Sequence, residues 1–211
     1  MTAPLVRVPV SGFVPALVLC LAACGGGASA VRLDEQWPQT VPDYEDTTAA
    51  WTRHTTMRGD FQEALALDAI FKSPDWRAAH AARDAAHRGL DGAAREAVFA
   101  QAQAEMAGPY EVELLFTTWD RRENDLDRGK KSVWHVALVD EAGKELEPLE
   151  IVKDKRPASI LRAEFASYGD FATAYVARFP RTAPVLGPGI HSLRLRFSSE
   201  RGGAEVIWAA K

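Results

Sequence analysis

Cysteine is nearly missing from this chain, and the two that occur, Cys20 and Cys24, both fall in the first 24 of 211 residues. Residues 25–211 therefore have no thiol, which excludes a disulfide framework, thiol catalysis and cysteine-ligated zinc from that part. A chain built that way must be held together by a hydrophobic core. Basic charge is also short: 25 Lys and Arg face 29 Asp and Glu, a formal net charge of −4. That balance argues against nucleic acid, which selects basic faces, and against electrostatic clinging to anionic lipid. Long apolar runs are scarce. The stretch from Val8 to Ala23 is shorter than the ~20 residues a membrane-spanning helix needs, and Pro9 and Pro15 interrupt it. The G-x-S-x-G, H-E-x-x-H, phosphate-loop and dinucleotide motifs are all absent, which removes the main support for an enzyme and leaves that question open.

What is present begins at the N-terminus. Arg7 precedes the apolar run, and the run stops at Leu21-Ala22-Ala23-Cys24 followed by three glycines. A weakly charged start, an apolar centre and small residues at the end read as an export signal over residues 1–23. Leu21-Ala22-Ala23-Cys24 resembles the lipobox of bacterial lipoproteins. The resemblance covers residues 1–27 and implies cleavage before Cys24 and lipidation of its sulfur. Cys20 leaves with the signal. An ordinary secretory signal cut at Ala23 or after Ala28-Ser29-Ala30 is the competing reading. Lipidation would place the protein in the cell envelope; Gly25 in place of an aspartate implies the outer membrane, facing the periplasm, if the source is Gram-negative. Residues 44–211 resemble no characterised family.

Cleavage removes Arg7 and no acid, so the mature chain is one unit more acidic. Residues 24–44 read as the lipidated cysteine and a flexible tether, with Gly25-Gly26-Gly27 loose and Pro38 and Pro42 resisting regular structure. Trp37 inside it is expected to pack on the domain edge. Residues 45–211 suit one domain.

Helical character is expected over Asp43–His54, capped near Asp46-Thr47-Thr48, with Trp51 as its core anchor. Phe61, Leu65, Leu67, Ala69 and Phe71 alternate with one defect at Glu63, which reads as a strand. Ser73-Pro74-Asp75 is a helix start: a capping hydroxyl, a proline where its missing N–H costs nothing, and an acid at the positive dipole end. That helix runs to about Arg88, and a second, alanine-rich one runs from Asp91 to about Ala107, making a helical hairpin at about 74–107. After Pro109 the texture becomes strands: Tyr110–Trp119, Val133–Asp140, a turn at Glu141–Lys144, a return strand Leu146–Lys153, then Thr173–Phe179, Ser192–Ser198 and Ala204–Ala209. These patterns predict an α+β protein that is mainly an antiparallel β-sandwich, immunoglobulin-like in one form it could take, with the hairpin inserted over an edge or end.

Two clusters could carry chemistry. His80, Asp84 and His87 share one helix face and could hold zinc with an open position. Their histidines lie ~10 Å apart along the axis, however, too far to ligate one ion together, and a solvated polar face opposite Trp76, Ala79 and Ala86 is the simpler reading. In the 119–132 loop, Asp120, Asp125 and Asp127 supply hard oxygens, and Asp125-x-Asp127-x-Gly129 is faintly like a calcium loop. It lacks the terminal glutamate and the glycine offset, and Arg121, Arg122, Arg128 and Lys130 oppose a dication. A charged, solvated loop is expected there. His135 alternates outward from Trp134, Val136 and Leu138, and His191 belongs to turn chemistry. No metal and no cofactor are expected, and no catalytic residue is assigned. The reading is a lipid-anchored binding or structural module for a protein partner in the envelope. The alternative is an envelope hydrolase with a site assembled from His80 or His87 and the 119–132 carboxylates.

Overall fold

The computed structural model describes residues 29–58 and 63–211. The expected export signal over residues 1–23, Cys24 and Phe61 lie outside these residues. The chain forms an α+β structure with two antiparallel sheets. One has five strands, in the order β1 (Thr52–Arg58), β2 (Glu63–Phe71), β3 (Tyr110–Thr118), β7 (Thr173–Phe179), β6 (Glu150–Lys153). The other has four, in the order β5 (Glu145–Leu146), β4 (His135–Val139), β8 (Ser192–Ser199), β9 (Gly202–Ala209). Helices α1 (Tyr44–Trp51), α2 (Pro74–His87), α3 (Gly92–Glu105) and α4 (Ala158–Glu164) complete it, with two 3₁₀ turns at Arg121–Glu123 and Leu126–Lys131.

One apolar core takes residues from both sheets. Phe116 of β3 stacks on Phe197 of β8 with ring centroids 5.8 Å apart, and Phe71 of β2 meets Trp208 of β9 at 5.9 Å. Trp134 stands edge-on to Phe116 at 5.6 Å, buried as its phase with Val136 and Leu138 requires. Its indole N–H donates to the Glu123 carbonyl at 2.7 Å, which satisfies the one polar atom that burial would strand.

Local chemistry accounts for the helical hairpin. The Ser73 hydroxyl accepts from the Trp76 N–H at 3.1 Å, Pro74 opens α2, and Gly89 leaves it at φ +61°, where a side chain would be strained. Asp91 precedes α3 without a side-chain capping bond. The second helix has no buried residue; Val98, Phe99, Ala102 and Met106 are half-covered. Its docking is reinforced by Arg77, whose guanidinium reaches Glu105 at 3.1 Å and Glu111 of β3 at 2.8 Å.

Four expectations are corrected. The first helix is capped by Asp43, whose carboxylate accepts from the Asp46 N–H at 3.0 Å, and it ends at Trp51 rather than His54. Residues 52–58 form β1 instead, paired with β2 from Thr52 opposite Ile70 onward. The threonines there tolerate helix poorly, and the partner strand decides. The return strand Leu146–Lys153 breaks near Pro148: β5 pairs with β4 in one sheet and β6 with β7 in the other. Helix α4 arises where no element was expected. Finally, the tether does not extend to residue 44. Val31 is buried and bridges to Ala210, its N–H donating to the Ala209 carbonyl at 2.9 Å, and Leu33 is buried as well. The packed part of the chain therefore starts near Ser29, whose carbonyl accepts from Arg53 Nη2 at 2.7 Å.

Candidate functional site: a cleft over a buried charge network

The core-facing side of β3 carries Val112, Leu114 and Phe116. The opposite side carries Glu111, Glu113 and Leu115; Arg77 of α2 reaches Glu111, and Lys72 and Arg156, which precede α2 and α4, reach toward Glu113. Burying carboxylates there demands partners. Glu113 is fully buried, and Lys72, at the end of β2, brings its Nζ to 2.9 Å from Oε2. That contact lies off the direction of a well-formed hydrogen bond, and Oε1 has no partner. Burial pushes Glu113 above the usual carboxylate range; Lys72 opposes the shift, and the nearby charge of Asp154 adds to it.

Arg156 ties this buried face to α4. Its Nη2 lies 2.6 Å from Asp154 Oδ2 and 3.9 Å from Glu113, and its Nη1 bonds Glu164. Burial opposes the charge on Asp154, but the side-chain and backbone donors of Arg156 outweigh it and hold the carboxyl low. Glu164 follows the same logic: burial raises it, and the hydrogen bond from His80 with the charges of His80 and Arg156 bring it below the ordinary range. His80 Nε2 stands 2.5 Å from Glu164 Oε1, and its ring stacks on Trp76 at 4.9 Å. Trp76 in turn donates its indole N–H to Thr48 Oγ1 at 3.1 Å, so α1, α2 and α4 are joined through one aromatic stack.

Beside this network opens a cleft of about 810 Å³. Its walls are α1 (Tyr44, Ala49), His54 of β1, the end of α2 (Arg83, His87) and the segment Arg162–Ser167. The volume lies within the roughly 300–1,000 Å³ typical of small-molecule sites. Tyr44 donates its hydroxyl to the Glu164 carbonyl at 2.8 Å, and burial with the nearby Glu164 charge pushes the phenol up to about 12. Arg83 lies over the Tyr44 ring at 4.7 Å and donates to the Ala163 carbonyl at 2.6 Å. His54 is paired with Asp68 at 2.7 Å, and Arg162 with Asp170 at 2.5 Å.

The expected clusters divide differently from their sequence spacing. His80, Asp84 and His87 have three separate surroundings: Glu164 and Trp76 for His80, Arg88 at 2.8 Å for Asp84, and the cleft for His87. The expectation of a purely solvated face fails at His80, whose side chain is only 35% exposed, because α4 closes over it. The loop carboxylates are spent within the loop and its neighbours. Asp120 caps the 3₁₀ turn and pairs with Arg122 at 2.7 Å, whose hydrogen bonds hold it down to about 2. Asp125 is buried and accepts from Ser132 Oγ at 2.8 Å and the Val133 N–H at 3.3 Å. Asp127 pairs with Lys153 at 3.2 Å. Among the described residues, no three His, Cys, Asp or Glu side chains gather as a metal ion would need. The cleft that His87 lines has no wall from residues 119–132. His135 is exposed as its phase predicts, near Glu145 and Glu147, and His191 is exposed with its N–H bonded to Glu141.

Sequence reasoning missed Glu113, Asp154, Arg156 and Glu164. One signal was legible for the first: Leu114, Leu115 and Phe116 put apolar residues on both phases of β3, the mark of a strand covered on both faces. Searches of family models, curated proteins and solved structures give no match to this chain.

Proposed function

We propose that the protein is a lipid-anchored cell-envelope protein whose folded part is a β-sandwich acting as a binding module. The sandwich reading is supported by the two antiparallel sheets meeting through Phe116 and Phe197 and through Phe71 and Trp208. The anchor reading is supported by Leu21-Ala22-Ala23-Cys24; among the described residues no helix is long and apolar enough to cross a membrane. The observation that carries binding is the cleft: an open, largely apolar hollow with Arg83 and His87 on its wall and no nucleophile paired to a base. With Ser29 already bonded to Arg53, the five residues from Cys24 reach at most ~18 Å. The domain then rides close to the bilayer that holds its lipid.

Intact mass and detergent phase partitioning test the anchor. Wild type is expected to carry acyl mass on Cys24 and to enter the detergent phase, and Cys24→Ala to lose both. An unmodified N-terminus at Val31 in wild type overturns the proposal. For binding, cross-linking in intact cells should capture an occupant that is lost when Ala49→Trp fills the cleft.

A further inference from the structure

The α2 wall of the cleft has a distinctive imbalance. Arg83 and His87 are one turn apart on α2 and face the same hollow. Among the described residues neither has a carboxylate partner within ion-pair distance; Asp84, between them in sequence, turns to Arg88. Arg83 is held in place by a carbonyl and an aromatic ring, which fix its position without neutralising its charge. Two acids also line the hollow. Glu164 is nearly buried and already committed to Arg156 and His80, and among the described residues Glu45 makes no ion pair with Arg83 or His87. The apolar part of the lining is Ala49, Ala163 and Ala166 over the buried Phe165; Thr48, Thr52 and Ser167 add hydroxyls, and His54 and Arg162 also line the hollow but are paired with Asp68 and Asp170.

We propose that the cleft binds a single-chain anionic amphiphile, its carboxylate or phosphate head on Arg83 and His87 and its apolar body along Ala49, Ala163 and Ala166. This inference rests on the binding-module reading and names the ligand class for its site. The charge assignment follows from complementarity: the fixed Arg83 guanidinium, a cation without an acid partner, accommodates an anionic oxygen pair, and the His87 ring one turn away adds a hydrogen-bonding nitrogen. The single chain follows from size, since a hollow of about 810 Å³ suits one small ligand rather than a macromolecular segment.

The test uses the mature full-length protein and three probes below their micelle thresholds: dodecanoate, dodecanol and acetate, followed by calorimetry. Dodecanoate is expected to bind at least tenfold tighter than either of the others. Equal affinity for dodecanol overturns the role of Arg83 and His87, and equal affinity for acetate overturns the role of the apolar wall. His87→Gln, at an exposed position whose loss leaves the fold intact, should weaken dodecanoate at least threefold and leave dodecanol unchanged; Arg83→Gln should weaken it tenfold. Unchanged affinity in both variants overturns the assignment of the head. Ala49→Trp should abolish binding, and retained binding places the amphiphile elsewhere and overturns the site. Should dodecanoate fail while Ala49→Trp still removes an occupant cross-linked in cells, the ligand class falls and the binding-module reading stands. Should Ala49→Trp change nothing in either measurement, both fall.

Discussion

His80 Nε2 lies 2.5 Å from Glu164 Oε1, joining the middle of α2 to the last residue of α4. Glu164 is nearly buried, so this contact satisfies an acceptor that water does not reach. His80→Ala should therefore destabilise the fold by about 1–3 kcal/mol, the cost of depriving a buried carboxylate of one partner while Arg156 retains the other. His87→Ala, on an exposed side chain, should stay within about 0.5 kcal/mol of wild type. Urea unfolding of both variants measures the contrast, and equal stabilities would mean that α4 does not close over α2 in solution.

Trp134→Ala should cost about 3–5 kcal/mol. The indole fills the space beside Phe116 and holds the 119–132 loop through the Glu123 carbonyl, so truncation removes core volume and a loop anchor together. Trp119, by contrast, is 69% exposed at the end of β3, and Trp119→Ala should be nearly neutral. A Trp134 variant as stable as wild type in denaturant titration would contradict the packing of β4 on β3.

The pH dependence should carry two opposite signs. Glu113 has a folded pKa raised above its ordinary 4.5, so its contribution is favourable below that value and is lost as pH rises through the folded pKa. Asp154 and Glu164 are depressed, so their contributions are present above their ordinary values of 3.8 and 4.5 and are lost as pH falls through the folded ones. Glu113→Gln keeps the shape of the neutral acid and cannot ionise. Its stability relative to wild type should rise as pH climbs above 4.5 through the folded pKa of Glu113, and unfolding at several pH values reads this directly. A pH-independent difference between the two proteins would show that Glu113 titrates normally in the fold.

Residues 29–44 should be needed for full stability. Val31 and Leu33 are buried, and fully burying such side chains contributes about 1.5–3 kcal/mol each. A fragment starting at residue 45 should melt well below one starting at residue 29, with Arg53 also losing its bond to the Ser29 carbonyl. Coincident melting curves would restore the view of this segment as a free tether.

Local chemistry written in consecutive residues was readable from the chain alone. Ser73-Pro74-Asp75 starts α2 because a hydroxyl, a fixed φ and an acid act within one turn, and Glu141–Lys144 turns because Gly143 accepts φ +83°. The alternation of Trp134, Val136 and Leu138, and of Leu193, Leu195 and Phe197, shows which face of β4 and β8 is apolar, so their burial was legible as well. The absence of cysteine after position 24 and the apolar run ending at Cys24 are likewise properties of the sequence itself.

Only the tertiary structure decided what covers the other face of each element. Glu113 alternates with inward residues, yet it is fully buried with Lys72 and Arg156, 41 and 43 positions away in sequence, brought to its carboxylate by the fold. Thr52–Arg58 became a strand because β2 offers a ladder, and Val31 left the tether because Ala210, at the far end of the chain, offers an edge. His80 and Glu164 are 84 positions apart, and no periodicity links them. Short-range preferences follow from steric and hydrogen-bonding chemistry among neighbours; burial, pairing and the cleft at Arg83 and His87 depend on which distant surfaces exclude water from one another.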